Sequence, residues 1–197
     1  MSAAAGDQAS LVLRARDGDA GAFEELATRE QSALFRHVLR LLPDHADAED
    51  VVQDALVSAW RAIGAFEGTS FRAWLFRIAT NRAIDVIRAR RRRAELPLDP
   101  PAEDDDSPGW AEPAAPGSDL ADIAGDREAV RAVEELLGRV PVEQRAALLL
   151  RDVEGFSYEE IAVITAVEVG TVKSRIHRAR LSVRNGLVAR GWRGTFG

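Results

Sequence analysis

Between residues 94 and 125 the chain carries six of its eight prolines (Pro97, Pro100, Pro101, Pro108, Pro113, Pro116) and nine carboxylates, with no lysine or arginine. Proline removes backbone donors and breaks helices, and like charges repel and extend a chain. This stretch reads as a disordered acidic linker, and it cuts the 197 residues into two blocks too small for a single large core. Fully extended, 32 such residues span roughly 100 Å at about 3.3 Å each. The flanking blocks are therefore free to occupy separate sites on a large partner.

Both blocks read as all-α. Alternating Val/Ile/Thr runs are missing, and apolar residues recur at three- and four-residue spacing. Helices are expected near 8–17, 20–42, 45–64 and 71–93, then near 126–138, 142–153, 158–165 and 170–189. Pro43-Asp44 ends one helix and caps the next, and Thr69-Ser70 offers a cap for the fourth. Ser157 and Glu160 have the spacing of a capping box. The expected architecture is two small helical domains, 1–93 and 126–189, with a short tail at 190–197.

The net charge of −6 argues at first against a nucleic-acid partner, but its distribution reverses that impression. Residues 94–135 carry a net −11, whereas 1–93 carry +1 and 136–197 carry +4. Binding to DNA depends on local basic faces. The absence of cysteine rules out disulfides and thiolate metal sites and fits a reducing cytosol. The first ten residues lack the basic and apolar regions of a signal peptide. No apolar run approaches the roughly 20 residues that span a bilayer.

Residues 157–187 carry the sharpest motif: a short helix, a brief connection and a longer helix, the pattern of a helix-turn-helix. In the second helix Val172, Ile176, Ala179, Val183 and Leu187 fall within about 80° of one another, a core stripe. Lys173, His177, Arg180 and Arg184 lie opposite, flanked by Ser174 and Arg178. A helix with one apolar face and one face of donors suits the major groove. Lys173, Ser174, His177 and Arg178, near the N-terminal end, are the candidate base contacts. Arg175, Arg180 and Arg184 are placed for phosphates, which orient the helix without reading sequence. The plainer alternative is a solvated basic face.

In the first block Asp47, Asp50 and Asp54 form an acidic stripe, with Val51, Val52, Ala55, Leu56 and Ala59 on the buried side. Acids early in a helix favour its dipole; a docking face for a basic helical partner is the functional reading. Further on, Trp74, Arg77, Asn81 and Arg88 share one flank of the 71–93 helix, within about 60° on an ideal wheel. An aromatic ring, an amide and two guanidiniums suit the unstacked bases and backbone of single-stranded DNA. Phe71, Leu75, Ile78, Ala79 and Val86 are expected to face the core. Arg82 falls inside that apolar arc and Ile84 near the DNA flank, so a bend or a snorkelling arginine is expected. Arg88 and the run Arg90 to Arg93 are candidates for backbone phosphate.

The string "GFSYEEIAVITAVEVGTVKSRIHRARLSVR" resembles the promoter-reading end of extracytoplasmic-function (ECF) sigma factors, with Ala166 and Glu168 where that family usually has Gly and Pro. "AEDVVQDALVSAW" resembles the family's polymerase-binding helix, and "NRAID" its −10 motif. The resemblance implies a subunit of RNA polymerase that directs promoter-specific initiation, held by core polymerase through its β′ and β subunits. It implies that Asp50, Gln53 and Asp54, beside Asp47, meet the β′ clamp helices. It implies that the 71–93 helix captures and melts the −10 element, with Asn81 on a flipped base, and that the C-terminal helix reads the −35 box. An anti-sigma partner is implied as well. The acidic linker resembles the inter-domain connector, with carboxylates that imitate nucleic-acid charge inside the polymerase.

A nucleophile–base–acid set is not visible, and the chain contains no Gly-rich phosphate loop of the G-x-x-x-x-G-K type. His37, His45 and His177 lie on separate elements, and His45 beside Asp47 and Asp50 lacks a third neutral metal ligand. The expectation is a non-enzymatic protein without cofactor or metal, binding polymerase and promoter DNA. Two alternatives stay open at this point: a polymerase-independent helix-turn-helix regulator, and a helical adaptor without a DNA role.

Overall fold

A computed structural model describes residues 2–42, 44–68, 70–94 and 127–192. The expected linker, 94–125, lies outside these apart from Ala94. Every regular element among the described residues is helical: α1 (Ser2–Arg16), α2 (Ala20–Leu41), α3 (His45–Ala62) with a 3-10 turn (Ile63–Ala65), α4 (Phe71–Ala94), α5 (Arg127–Arg139), α6 (Val142–Asp152), α7 (Tyr158–Thr165) and α8 (Val169–Ala189). The first helix begins six residues before the apolar periodicity predicts; the other starts and ends shift by two residues at most.

The caps explain most boundaries. The Asp19 carboxylate accepts from the Ala22 amide and starts α2. Asp44 accepts from the amides of Ala46 and Asp47 and starts α3. The Ser70 hydroxyl accepts from Ala73 at the head of α4. Ser157 and Glu160 form the reciprocal box that starts α7, at 3.1 and 2.8 Å. Each cap satisfies amides that the helix itself leaves open, a contribution of about 1 kcal/mol.

Helices α1 to α4 pack around Leu11, Leu26, Leu34, Val38, Phe71, Leu75 and Phe76; α5 to α8 pack around Leu148, Leu150, Ile161, Ile164, Val172 and Leu187. Burying each such side chain contributes roughly 1.5–3 kcal/mol. On α4, Phe71, Leu75 and Ala79 are buried as expected, while Ile78 and Val86 are only half-buried. Arg82 does not snorkel through the core. Its side chain is 56 % exposed and reaches Asp54 at 2.7 Å.

The two modules are in contact. Helix α4 packs on α6 and α7, and α2 packs on α6. Three arginines stitch the seam. Arg72 donates to the Glu154 carboxylate (2.8 Å) and carbonyl (3.0 Å) while holding Glu30 at 3.1 Å. Its guanidinium stacks 4.8 and 4.5 Å from the rings of Phe76 and Phe156, which themselves meet at 5.1 Å. Arg145 donates to the carbonyls of Leu41 and Leu137. Arg88 donates two hydrogen bonds, 2.7 and 3.0 Å, to Glu143.

Candidate nucleic-acid and polymerase interfaces

The helix-turn-helix is formed by α7 and α8. Between them Ala166 takes the left-handed conformation, φ 54 and ψ 43, and is the lone non-glycine with positive φ among the described residues. Glu168 stands at the N-cap of α8 without a capping bond from its side chain. The stripe Val172, Ile176, Ala179, Val183 and Leu187 is fully buried, as its spacing predicts. That burial turns Lys173, His177 and Arg184 outward; Ser174, Arg175, Arg178 and Arg180 are half-buried.

Two of these side chains have engagements that spacing alone does not reveal. The Ser174 hydroxyl donates to the Thr171 carbonyl at 3.0 Å, within its own helix. Arg180 makes a fork to Asp152, at 2.6 and 3.1 Å, and Asp152 is only 7 % exposed. Asp152 thereby ties α8 to the end of α6. Tyr158 is the second residue the sequence reading missed. The Lys173 ammonium lies 5.8 Å and the Arg151 guanidinium 4.8 Å from its ring centre. Cation–π contacts of this kind hold long cations over a fixed point.

On α3, Asp50 and Gln53 are exposed. Asp54 is exposed and paired with Arg82, whereas Asp47 is half-buried and paired with Arg90. The acidic stripe is thus partly neutralised by α4. The face also continues further than the acids alone suggest: Val57 and Trp60 follow Gln53 at helical spacing, 41 % and 37 % exposed. Trp60 is steadied by Phe23, 5.2 Å away.

On α4, Arg77 and Asn81 are exposed. Trp74 is half-buried, its ring 4.9 Å from Phe66 and 5.9 Å from Phe71. Together with Phe66 and Arg77 it lines a groove of about 400 Å³ whose opposite wall is Glu159, Glu160 and Val163 of the other module. Arg88 is bound to Glu143, as described. Ile84, placed near the DNA flank by the helical wheel, is buried at 7 % exposure. Behind this flank His37 is fully buried, with Nε2 3.0 Å from the Thr80 hydroxyl. Burial, reinforced by Arg40 and Arg72, lowers its pKa to about 3, so the ring is neutral. His45 pairs with Glu49 at 3.5 Å and packs on Phe35; among the described residues no three ligands converge on a metal site.

Comparison with known proteins identifies the two modules. Residues 26–93 match the family model for Sigma-70 region 2, and residues 130–183 that for Sigma-70, region 4. The ECF RNA polymerase sigma-E factor of Escherichia coli is 39% identical over 182 residues, covering 89% of this chain and 91% of that protein. The chain belongs to the ECF sigma factors of the sigma-70 family. The RNA polymerase sigma-H factor of Pseudomonas aeruginosa is 37% identical over 184 residues, 90% of this chain and 92% of its own. Among solved structures, CnrH in complex with the cytosolic domain of CnrY superposes with a TM-score of 0.66 at 28% identity, over 93% of this chain and 98% of that one. The sigma factor RpoE from Bartonella quintana, in complex with the anti-sigma factor NepR, gives 0.62 at 30% identity, over 84% and 96%.

As a sigma factor, the chain is a transcription initiation factor that works with core RNA polymerase and directs it to promoters. No helix among the described residues is long and apolar enough to cross a membrane. Of the three readings open at the sequence level, family membership selects the first.

Proposed function

We propose that the sigma factor divides its work among three outward faces. The α3 face, centred on Asp50 and Gln53 with Asp47 and Asp54 beside them, docks on the β′ clamp helices. The α4 flank of Trp74, Arg77, Asn81 and Arg88 takes the unstacked −10 strand. Helix α8 reads the −35 duplex, with Lys173, Ser174, His177 and Arg178 toward bases and Arg175, Arg180 and Arg184 toward phosphates. Residues 1–93 and 126–189 then act as separate domains on the polymerase, with 94–125 as connector. Arg180 has a second task here, because its fork to Asp152 fixes how α8 is presented.

The observation that carries this reading is the exposure of Asp50, Gln53, Arg77, Asn81, Lys173 and His177 on helices whose opposite faces are buried. Polar side chains so placed lie on the faces that partners of complementary charge would meet. The protein supplies binding energy and the polymerase supplies the chemistry, so no enzymatic activity and no cofactor are assigned. Opening DNA costs about 1–2 kcal/mol per base-pair step. A few stacking contacts at ~1–3 kcal/mol each offset that over a short bubble. The protein works in the cytoplasm, and an anti-sigma protein, as in the NepR complex of its relative, restrains it.

The test is charge reversal on α3. Asp50→Arg with Asp54→Arg abolishes binding to core polymerase while the protein still binds upstream duplex DNA. Unchanged polymerase affinity overturns the docking assignment.

A further inference from the structure

We infer that Tyr158 is a positioning residue for the reading of the −35 duplex: its ring fixes where the Lys173 ammonium stands, so that this cation meets one base edge. The inference rests on the proposed assignment of α8 to that duplex and of Lys173 to a base. The chain contains a single lysine and a single tyrosine, and the rest of its 26 lysines and arginines are arginine. These two side chains meet across the turn of the helix-turn-helix, the ammonium 5.8 Å from the ring centre. The choice of lysine has a consequence. An arginine carries a planar fork whose own geometry aims its donors, whereas a lysine is a point charge on a flexible four-carbon stem. A lysine that reads one base therefore takes its aim from a neighbour. Seated against a ring, it has given up part of its freedom before DNA arrives, and preorganisation of this kind lowers the cost of binding.

The ring is itself held from α6 and α7. Tyr158 is the first residue of α7, and the box of Ser157 with Glu160 sets the backbone there. The Arg151 guanidinium, near the end of α6, lies 4.8 Å from the ring centre and donates to the Phe156 carbonyl at 2.9 Å. The tyrosine side chain is half-buried against the core, while Lys173 is exposed beside the buried Val172. Asp152, the residue after Arg151, forks Arg180 further along α8. The end of α6 thus steers two cations of the same face, one through a ring and one through a carboxylate. The two holds differ. A carboxylate neutralises the cation it binds, whereas a ring orients a cation and adds no opposing net charge. The ring-held ammonium keeps its donors for an acceptor on a base.

Because Lys173 is the one lysine of the chain, isotopic labelling at the lysine ε carbon gives a single magnetic-resonance signal in the full chain. The ring current is expected to displace this signal from its position in the urea-unfolded chain. Tyr158→Phe keeps the displacement and Tyr158→Leu removes it. Holoenzyme reconstituted with core polymerase is then assayed on a promoter library randomised through the upstream box. Lys173→Ala is expected to flatten the preference at one position. Tyr158→Leu lowers the preference at that same position by roughly two- to fivefold, as loss of an exposed cation–π contact does. Tyr158→Phe retains it, and Tyr158→Leu combined with Lys173→Ala is no flatter than Lys173→Ala alone. Preference is a ratio between sequences, so a variant that folds poorly loses yield and not preference. A loss spread evenly over all sequences, a Phe variant that fails as the Leu variant does, or a signal unmoved in Tyr158→Leu overturns the positioning role and leaves the base assignment of Lys173 standing. A Lys173→Ala enzyme that flattens no position overturns both.

Discussion

Arg145 donates a hydrogen bond of 2.9 Å to the carbonyl oxygen of Leu41, 104 residues earlier in the chain. It also reaches the Leu137 carbonyl at 3.3 Å. Leu41 is the last residue of α2, so the guanidinium sits at the negative end of that helix dipole. Burial, with Arg91 nearby, lowers the Arg145 pKa from its usual value. Arginine stays protonated even so, and its charge is balanced by carbonyl dipoles. Arg145→Ala leaves the Leu41 carbonyl without this donor, while the Leu137 carbonyl keeps the Val140 amide at 3.1 Å, a loss of roughly 1–3 kcal/mol. Lys in its place has no fork and recovers only part of it. Urea unfolding of the three proteins, followed by circular dichroism, measures both differences.

The elements themselves were legible in the sequence because their signals are local. Asp44, Ser70 and Ser157 announce helix starts within four residues of the amides they serve. The stripe from Val172 to Leu187 needs nothing beyond its own spacing. Site residues such as Lys173, His177 and Asn81 fell outward because their neighbours fell inward. The seam was not legible. It depends on Arg72, Arg88 and Arg145 finding partners 55 to 104 residues away, and an arginine on a helix looks the same whether it faces water, phosphate or a distant glutamate. Arg180 shows this most directly: its place opposite the core suggests phosphate, yet Asp152 binds it. Ile84 looked misplaced on the wheel because a wheel knows only one core.

Ala166 occupies a conformation that disfavours a Cβ. The left-handed region costs an L-residue roughly 1–2 kcal/mol, and glycine regains this less its larger entropy in the unfolded chain. Ala166→Gly is therefore expected to stabilise the C-terminal module by about 0.5–1 kcal/mol. Gly155, at φ 77, gives the reciprocal test: Gly155→Ala destabilises by about 1 kcal/mol. A higher urea midpoint for the first and a lower one for the second is the expected pair of results.

His37 sets a pH dependence of known sign. Its folded pKa, about 3, lies below its ordinary 6.5. Above pH 6.5 both states hold a neutral ring. As pH falls below that, the unfolded chain takes up a proton that the folded chain refuses. Stability is lost by up to about 1.4 kcal/mol per pH unit until the folded pKa is approached. Glu154 works the other way, since burial raises its folded pKa. The difference between wild type and His37→Leu isolates the histidine. Unfolding curves at pH 7, 6 and 5 are expected to converge toward the variant's stability or fall below it only in the wild type.

Asp152 and Arg180 are expected to act as a unit. A double-mutant cycle with Asp152→Asn and Arg180→Ala gives a coupling of about 1–2 kcal/mol in stability. Both single variants also weaken −35 duplex binding, and Lys at position 180 fails to restore the fork. Duplex titration of the four proteins checks this: additive losses of affinity contradict a shared role in presenting α8.

Transcription by the reconstituted enzyme tests the assignment of the three faces most directly. Purified protein is added to core RNA polymerase on fragmented genomic DNA, and start sites are mapped. Defined starts are expected, each preceded by two separated conserved boxes. Lys173→Ala relaxes the upstream box alone, and Asn81→Ala abolishes initiation at the downstream one. A start-site map no different from that of core polymerase alone contradicts it, as does loss of the same box in both variants.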